Sequence, residues 1–284
     1  MIRYILCLLA VGYMSVCAGQ QPDIDYRIYD TQQQKEVLLE HITNGLPGKS
    51  VLLFGEEHND SIGHLLEWQV FESLRNRLGQ KLVLSMEMFE ADVQPVLNEY
   101  LEGMISEKNF RKEARSWNNY DDYRPLVELA KQHDIKVVAA NAPARYVNLV
   151  TREGLPALHQ LSKSSRKFIA PLPVDTLGGQ YLYRFNEIMG GHSMPGMHLY
   201  QSQNFWDATM AHFIRKARRR HKADVILHLN GRFHSDYRSG LAERLIRQGE
   251  KVITISCFSV DSLDNPGWAQ YSNLADFVII TRKK

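Results

Sequence analysis

Apolar residues along this chain gather into short unbroken runs, and the stretches between those runs carry their apolar positions three or four residues apart. The runs are Val51-Leu52-Leu53-Phe54, Leu82-Val83-Leu84-Ser85-Met86, Lys136-Val137-Val138-Ala139-Ala140, Val225-Ile226-Leu227-His228-Leu229-Asn230, Val252-Ile253-Thr254-Ile255-Ser256-Cys257 and Phe277-Val278-Ile279-Ile280. Runs without polar alternation are what strands buried on both faces of a parallel sheet look like. Helical spacing is read over Gln34–Asn44 and over His64–Leu78, where Leu65, Leu66, Val70, Phe71 and Leu74 recur at helical intervals. It resumes over Ala91–Met104, Asp121–His133 and Gly240–Gln248. The alternation predicts an α/β fold, a mainly parallel sheet flanked by helices on both faces and joined by right-handed crossovers.

The rhythm breaks between about residues 145 and 220, where helical patterns surround a Gly-rich loop, Gly190–His198, and no strand pattern is found. An insertion of this length between the third and fourth core strands is predicted to form a helical cap over the carboxyl edge of the sheet, a place where long functional loops are found. With no internal repeat or linker, residues 20–284 read as one domain.

Composition narrows this reading. The chain has 284 residues with 44% hydrophobic and 23% charged content, which excludes a disordered polypeptide. Lys and Arg number 34 against 32 Asp and Glu, a balance of +2 that gives no general attraction to nucleic acid, so no such partner is expected. The densest basic stretch, Arg215–Lys222, closes an apolar-periodic segment, where cations suit the negative end of a helix.

The first 19 residues read as an export signal: Arg3 supplies a positive charge, Tyr4–Met14 is almost wholly apolar, and small residues follow from Ser15 to Gly19. The apolar stretch is short for a membrane span. Cleavage near Ala18 or Gly19 would give a soluble periplasmic protein, and acylation of Cys17 a lipid-anchored one. Val16 stands where a lipidation box usually has Gly or Ala. Cys7 and Cys17 both fall in the signal, which leaves Cys257, in a strand-like run, as a buried inert thiol.

Candidate chemistry collects at the ends of the predicted strands. Gly55-Glu56-Glu57-His58 and Gly231-Arg232-Phe233-His234 are each a Gly-x-x-His closing an apolar run, and ligand crevices in open α/β sheets lie outside the carboxyl ends of the strands. The two histidines are therefore expected to face one pocket. Glu87 and Glu90 follow the second strand, Asn141 the third, and Asn230 the fourth, adding carboxylates and amides to the same edge. Buried polar groups must find partners, so a second reading makes Glu56, His58, Glu87, Asn141, Asp207 and His234, with Arg145, a hydrogen-bonding scaffold under the cap.

The ordered segments Gly55-Glu56-Glu57-His58-Asn59-Asp60, Ser85-Met86-Glu87-Met88-Phe89, Trp117-Asn118-Asn119-Tyr120 with Tyr123-Arg124-Pro125, Ala140-Asn141-Ala142-Pro143-Ala144-Arg145 and Trp206-Asp207-Ala208-Thr209-Met210-Ala211 resemble the motifs of the ChaN family. That family comprises haem-binding proteins of bacterial iron acquisition, in a superfamily with the Tiki metalloproteases and erythromycin esterases. The resemblance runs from Ser50 to His234. In many ChaN-like sequences the fourth strand ends in Gly-Asn-x-His, whereas this chain reads Asn230-Gly231-Arg232-Phe233-His234, and His64 and Gln69 meet the family spacing after His58 only loosely.

The resemblance implies an exported, non-covalent b-type haem binder of the cell envelope, capturing or storing haem for iron acquisition. Its implied partners are an outer-membrane haem receptor or other uptake component and a second copy of the chain paired across haem. A tyrosine ligand is implied, for which the cap offers Tyr181, Tyr183 and Tyr200. His192 and His198 stand nearby in the Gly-rich loop, with Met194, Met197 and Leu199 as apolar packing for a porphyrin. The Tiki side of the superfamily implies an alternative, a Zn²⁺- or Mn²⁺-dependent hydrolase with His58, Glu87 and His234 as ligands and Glu56 as general base.

Overall fold

The apolar runs pair into a single eight-stranded sheet in the computed structural model of the chain, which describes residues 25–190 and 196–283. The strands are β1 (Tyr26–Asp30), β2 (Lys35–Glu36), β3 (Ser50–Glu56), β4 (Leu82–Glu90), β5 (Lys136–Asn141), β6 (Val225–Gly231), β7 (Lys251–Val260) and β8 (Phe277–Arg282). They lie in the order β2-β1-β8-β7-β3-β6-β4-β5. All neighbours from β8 to β5 are parallel, while β1 runs antiparallel to β8 and to β2.

Among the described residues ten α-helices connect them: α1 (Leu39–Gly45), α2 (Ser61–Leu78), α3 (Gln94–Leu101), α4 (Glu107–Glu113), α5 (Tyr120–Gln132), α6 (Ala144–Glu153), α7 (Lys163–Arg166), α8 (Gly179–Ile188), α9 (Leu199–His221) and α10 (Leu241–Arg247). Successive strand residues point to opposite faces. Leu52, Phe54, Leu84, Met86, Leu227 and Leu229 pack under Leu66, Val70, Phe71, Leu97 and Leu126 of α2, α3 and α5. Val51, Leu53, Val83, Val138 and Ile226 face Met210, Ala211 and Ile214 of α9 and Leu241 and Leu245 of α10. Each such leucine or isoleucine, wholly withdrawn from water, contributes about 1.5–3 kcal/mol. Asp60 starts α2 by accepting from Ile62 N at 3.1 Å, and Thr281 Oγ1 donates to its other oxygen at 2.6 Å.

Three expectations are corrected. The helix read over Gln34–Asn44 is replaced at its start by β2, and only Leu39–Gly45 is helical. The antiparallel β1–β2 ribbon was not anticipated, because Tyr26-Arg27-Ile28-Tyr29-Asp30 carries too few apolar residues to stand out as a run. The segment 145–220 is not one cap: α9 packs along β4, β5 and β6 as a face helix, so the long amphipathic stretch is the crossover between β5 and β6. Among the described residues, α8 lies at the carboxyl end of the sheet, beside the first turns of α9. It is held there by Arg184 Nη1, which donates to Asp236 O at 2.9 Å and to Ser239 Oγ at 3.0 Å.

The basic stretch closing α9 is tied down by Glu250, 2.6 Å from Arg218 Nε and 3.5 Å from Arg215 Nε. Cys257 is a buried free thiol whose ionisation is pushed up by burial. At the exposed edge of the sheet, the Gln94 side chain bonds β5 as a strand would. Its Nε2 donates to Val137 O at 2.9 Å and its Oε1 accepts from Ala139 N at 2.8 Å.

Candidate functional site

The two Gly-x-x-His segments lie side by side. β3 and β6 are neighbours, with Gly55 opposite Asn230 and Glu56 opposite Gly231, so both chains leave the sheet at the same level. A cavity of about 900 Å³ opens there. Its walls are Trp117, Phe185, Ile188, Met189 and Phe233, and its polar groups include Glu56, His58, Asn119, Gln203, Arg232 and His234. Gly55 is required by the close approach of the second turn, since a Cβ there would lie 2.7 Å from Ser235 Oγ and 3.0 Å from Arg232 Cα.

Two polar networks flank this cavity. In the first, Glu56 Oε1 accepts from His58 Nδ1 at 2.8 Å and from Tyr123 OH at 2.7 Å. The hydrogen bond to Glu56 holds the His58 imidazole above its ordinary range, against the opposing effect of burial. His58 stands edge-on to Trp117 with ring centroids 5.1 Å apart, and its Nε2 lies on the side of Gly231, where an added Cβ would come within 3.0 Å of it. Its carbonyl accepts from Asn119 Nδ2 at 2.9 Å and from His64 Nε2 at 3.3 Å. Behind it lies Glu67, wholly buried, whose carboxyl is pushed well up by burial and by the neighbouring Glu56.

In the second network His234 is clamped between two acids. Its Nδ1 donates to Asp207 Oδ1 at 2.6 Å, and its Nε2 is 3.5 Å from Glu87 Oε1. Burial alone would lower the imidazole, but the charges of Glu87 and Asp207 outweigh it and raise His234 to about 10. Burial likewise works against ionisation of Glu87, which the His234 charge and the Gly231 N–H, donating at 2.8 Å, nevertheless bring down to about 2. Asp207 Oδ2 accepts the Tyr181 hydroxyl. A neutral third histidine, His228, lies in the sheet beneath; burial lowers it to about 3, and its Nδ1 is 2.9 Å from Ser85 Oγ.

The predicted residues thus divide. Glu56, His58, Glu87, Asp207 and His234 come together at the strand ends. Asn230 lies below them, wholly buried, donating to Ser235 Oγ at 3.0 Å. Asn141 turns back on its own chain, its Oδ1 accepting from Ala142 N at 2.8 Å. Arg145 does not join the network: from the first turn of α6 it reaches Asp92 instead, and Glu90 is likewise paired, with Arg115.

A further group of donor atoms lies behind the expected hydrolytic set. Among the described residues, Glu56, His64 and Glu67 have donor atoms within 4.8 Å of one another. Of the expected hydrolytic ligands, His234 has both ring nitrogens toward carboxylates, Nδ1 2.6 Å from Asp207 Oδ1 and Nε2 3.5 Å from Glu87 Oε1. Glu56, already accepting from His58 and Tyr123, is 2% exposed.

Of the expected haem tyrosines, Tyr181 is 1% exposed and spends its hydroxyl on Asp207, so it cannot face a ligand at the surface. Tyr200 donates inward to Leu177 O at 2.6 Å. Tyr183 is 63% exposed on the outer side of α8, away from the cavity. His198 is exposed and within 3.4 Å of Gln201 Nε2, while His192 and Met194 lie outside the described residues.

Sequence reasoning missed Glu67, Tyr123 and Gln203 and gave His64 no role. The available signal was polar residues within the apolar faces of α2, α5 and α9. His64 and Glu67, three apart, share the buried side of α2 with Leu66, Val70 and Phe71.

A ligand crevice over the carboxyl ends of parallel strands, with histidines backed by carboxylates, defines an α/β small-molecule or metal-binding protein. Residues 42–245 match the family described as haem-binding uptake, Tiki superfamily, ChaN, and the chain belongs to that family. Its fold is similar to that of a ChaN from Campylobacter jejuni solved with cofacial haem, at TM-score 0.66 and 18% identity, covering 92% of this chain and 98% of that one. An erythromycin esterase in its open conformation aligns at TM-score 0.48 and 11% identity over 91% of this chain and 83% of its own. The Arabidopsis thaliana chloroplast protein RETICULATA-RELATED 5 is 27% identical over 112 residues, 38% of this chain and 15% of that protein's length.

Proposed function

We propose that this chain binds haem in the strand-end cavity, with His58 Nε2 as the iron ligand. The observation that carries the reading is the His58–Glu56 pair at the cavity wall. Histidines that ligate metals donate their other ring N–H to a carboxylate or carbonyl, which fixes the ring and strengthens its donor nitrogen, and His58 Nδ1 does this to Glu56 at 2.8 Å. The residues fit the group. Trp117, Phe185, Ile188, Met189 and Phe233 make an apolar enclosure, and the volume suits a large planar ligand. When bound, haem supplies the iron; the chain's own part is to orient the donor nitrogen and exclude water from it.

A second arrangement is favoured by the exposure of Tyr183 and Leu182 side by side on α8. There a phenolate ligand would hold haem on the outer face, open to a second copy of the chain. The same reading takes residues 1–19 as an export signal and the mature protein as periplasmic or lipid-anchored through Cys17, capturing or storing haem for iron acquisition and passing it to or from an outer-membrane receptor or other uptake component.

Titration of the purified chain with haemin, followed at the Soret band, tests both arrangements. Saturable binding weakened about tenfold or more in His58→Ala and unchanged in Tyr183→Phe supports the cavity. The reverse pattern supports the outer face, and no saturable spectral change overturns both.

A further inference from the structure

Behind the cavity wall lies a constellation of which haem binding uses only one oxygen of Glu56. Glu56, His64 and Glu67 are all buried, each at 6% exposure or less, and their donor atoms lie within 4.8 Å of one another. His64 Nε2 is 3.3 Å from His58 O, a backbone carbonyl that can only accept, so Nε2 carries the ring proton. His64 Nδ1 faces Glu56 Oε2 and Glu67 Oε2, 3.2 Å from each and hydrogen-bonded to the latter, and in the neutral ring it presents a lone pair to them. Glu56 spends its Oε1 on His58 and Tyr123, and its Oε2 has no hydrogen-bond donor. Glu67 Oε1, equally buried, has none either.

Acceptors converging in a space closed to water repel one another unless a proton or a metal ion stands between them, and even with a proton on Glu67 the outer oxygens here keep no partner, which is rare for buried acceptors. The surroundings are those of a ligand shell: the imidazole is oriented by an outer carbonyl, and Glu56 by two donors on its far oxygen.

We propose that Glu56, His64 and Glu67 bind one divalent first-row transition ion, a metal site separate from the His58, Glu87 and His234 set and from the haem cavity. One imidazole with two carboxylates joins a donor that suits Zn²⁺ and Fe²⁺ to oxygens that suit Mn²⁺, which selects this class of ion over Ca²⁺ and Cu⁺. Glu56 connects the two sites, one oxygen holding His58 and the other facing the ion.

The test uses the full chain, haem-free and chelator-treated, titrated with Mn²⁺ and read by electron paramagnetic resonance. One equivalent should bind, and pulsed measurements should show coupling to a single imidazole nitrogen donor. Glu67→Gln should weaken binding about tenfold or more, while Glu87→Gln leaves it within about twofold. Failure to bind Mn²⁺, Co²⁺ or Zn²⁺ overturns the proposal, as do coupling to two imidazoles and loss of binding in Glu87→Gln with retention in Glu67→Gln. Should either variant fail to fold, the nitrogen count on the wild-type protein decides the matter without it.

Discussion

Replacing Asp207 by Asn probes whether the charge on His234 is held by its two carboxylates. Asp207 is wholly buried and accepts from His234 Nδ1 and from the Tyr181 hydroxyl, so an amide there must turn its NH₂ toward one of two donors. Removing one partner of a buried ion pair costs roughly 3–5 kcal/mol. The elevation of His234, near 10 in the folded chain against 6.5 when free, is on the order of 5 kcal/mol at about 1.4 kcal/mol per unit, shared between Glu87 and Asp207. The sign follows from that shift. A histidine raised on folding gives stability that is full below pH 6.5 and lost as pH climbs through about 10. Glu87, lowered from 4.5 to about 2, gives stability present above 4.5 and lost as pH falls through 2. These are two views of one ion pair, so its contribution to stability should be flat between pH 4.5 and 6.5 and decline on the alkaline side.

Urea unfolding of wild type and Asp207→Asn across that range is the assay, with the His234 ring titration followed by NMR. The variant should lose roughly 3 kcal/mol or more at pH 6, a fall of roughly 10 °C in midpoint temperature, together with part of the alkaline slope, the rest being kept by Glu87. A loss below about 1 kcal/mol with an unchanged slope would refute the reasoning.

Two further outcomes are expected. Gly240 has φ +58, and an added Cβ would stand 2.9 Å from both His234 O and the Tyr181 ring, so Gly240→Ala should cost roughly 2–4 kcal/mol by urea unfolding. Glu56→Gln should bring His58 back down toward its ordinary titration range, read by NMR, because the Glu56 hydrogen bond is the largest cause of its elevation.

The strand ends were legible in the sequence because each closes an apolar run, and β3 and β6 proved adjacent, as shared Gly-x-x-His segments suggested. What periodicity could not distinguish was a helix lying on a sheet face from one lying over its end. Asn204, Asp207, Met210, Ala211 and Ile214 make a buried stripe on α9 in either arrangement, and only the packing against β4, β5 and β6 decides. The tyrosines failed for a related reason. Tyr181 and Tyr183 are two residues apart on one helix, so one turns inward to Asp207 and the other outward to solvent, a distinction composition does not carry. Arg145 was drawn toward Asp207 by charge alone, when Asp92 lay nearer.

The side-chain amide of Gln94, donating to Val137 and accepting from Ala139, has a consequence for how copies of this molecule meet. Unpaired strand borders invite another chain to add itself, and the opposite border, β2, is only two residues long. A single glutamine counterfeits the next strand and so closes the sheet to growth. Were two copies of this protein to meet, backbone pairing at this border would be closed to them and side chains would have to make the contact.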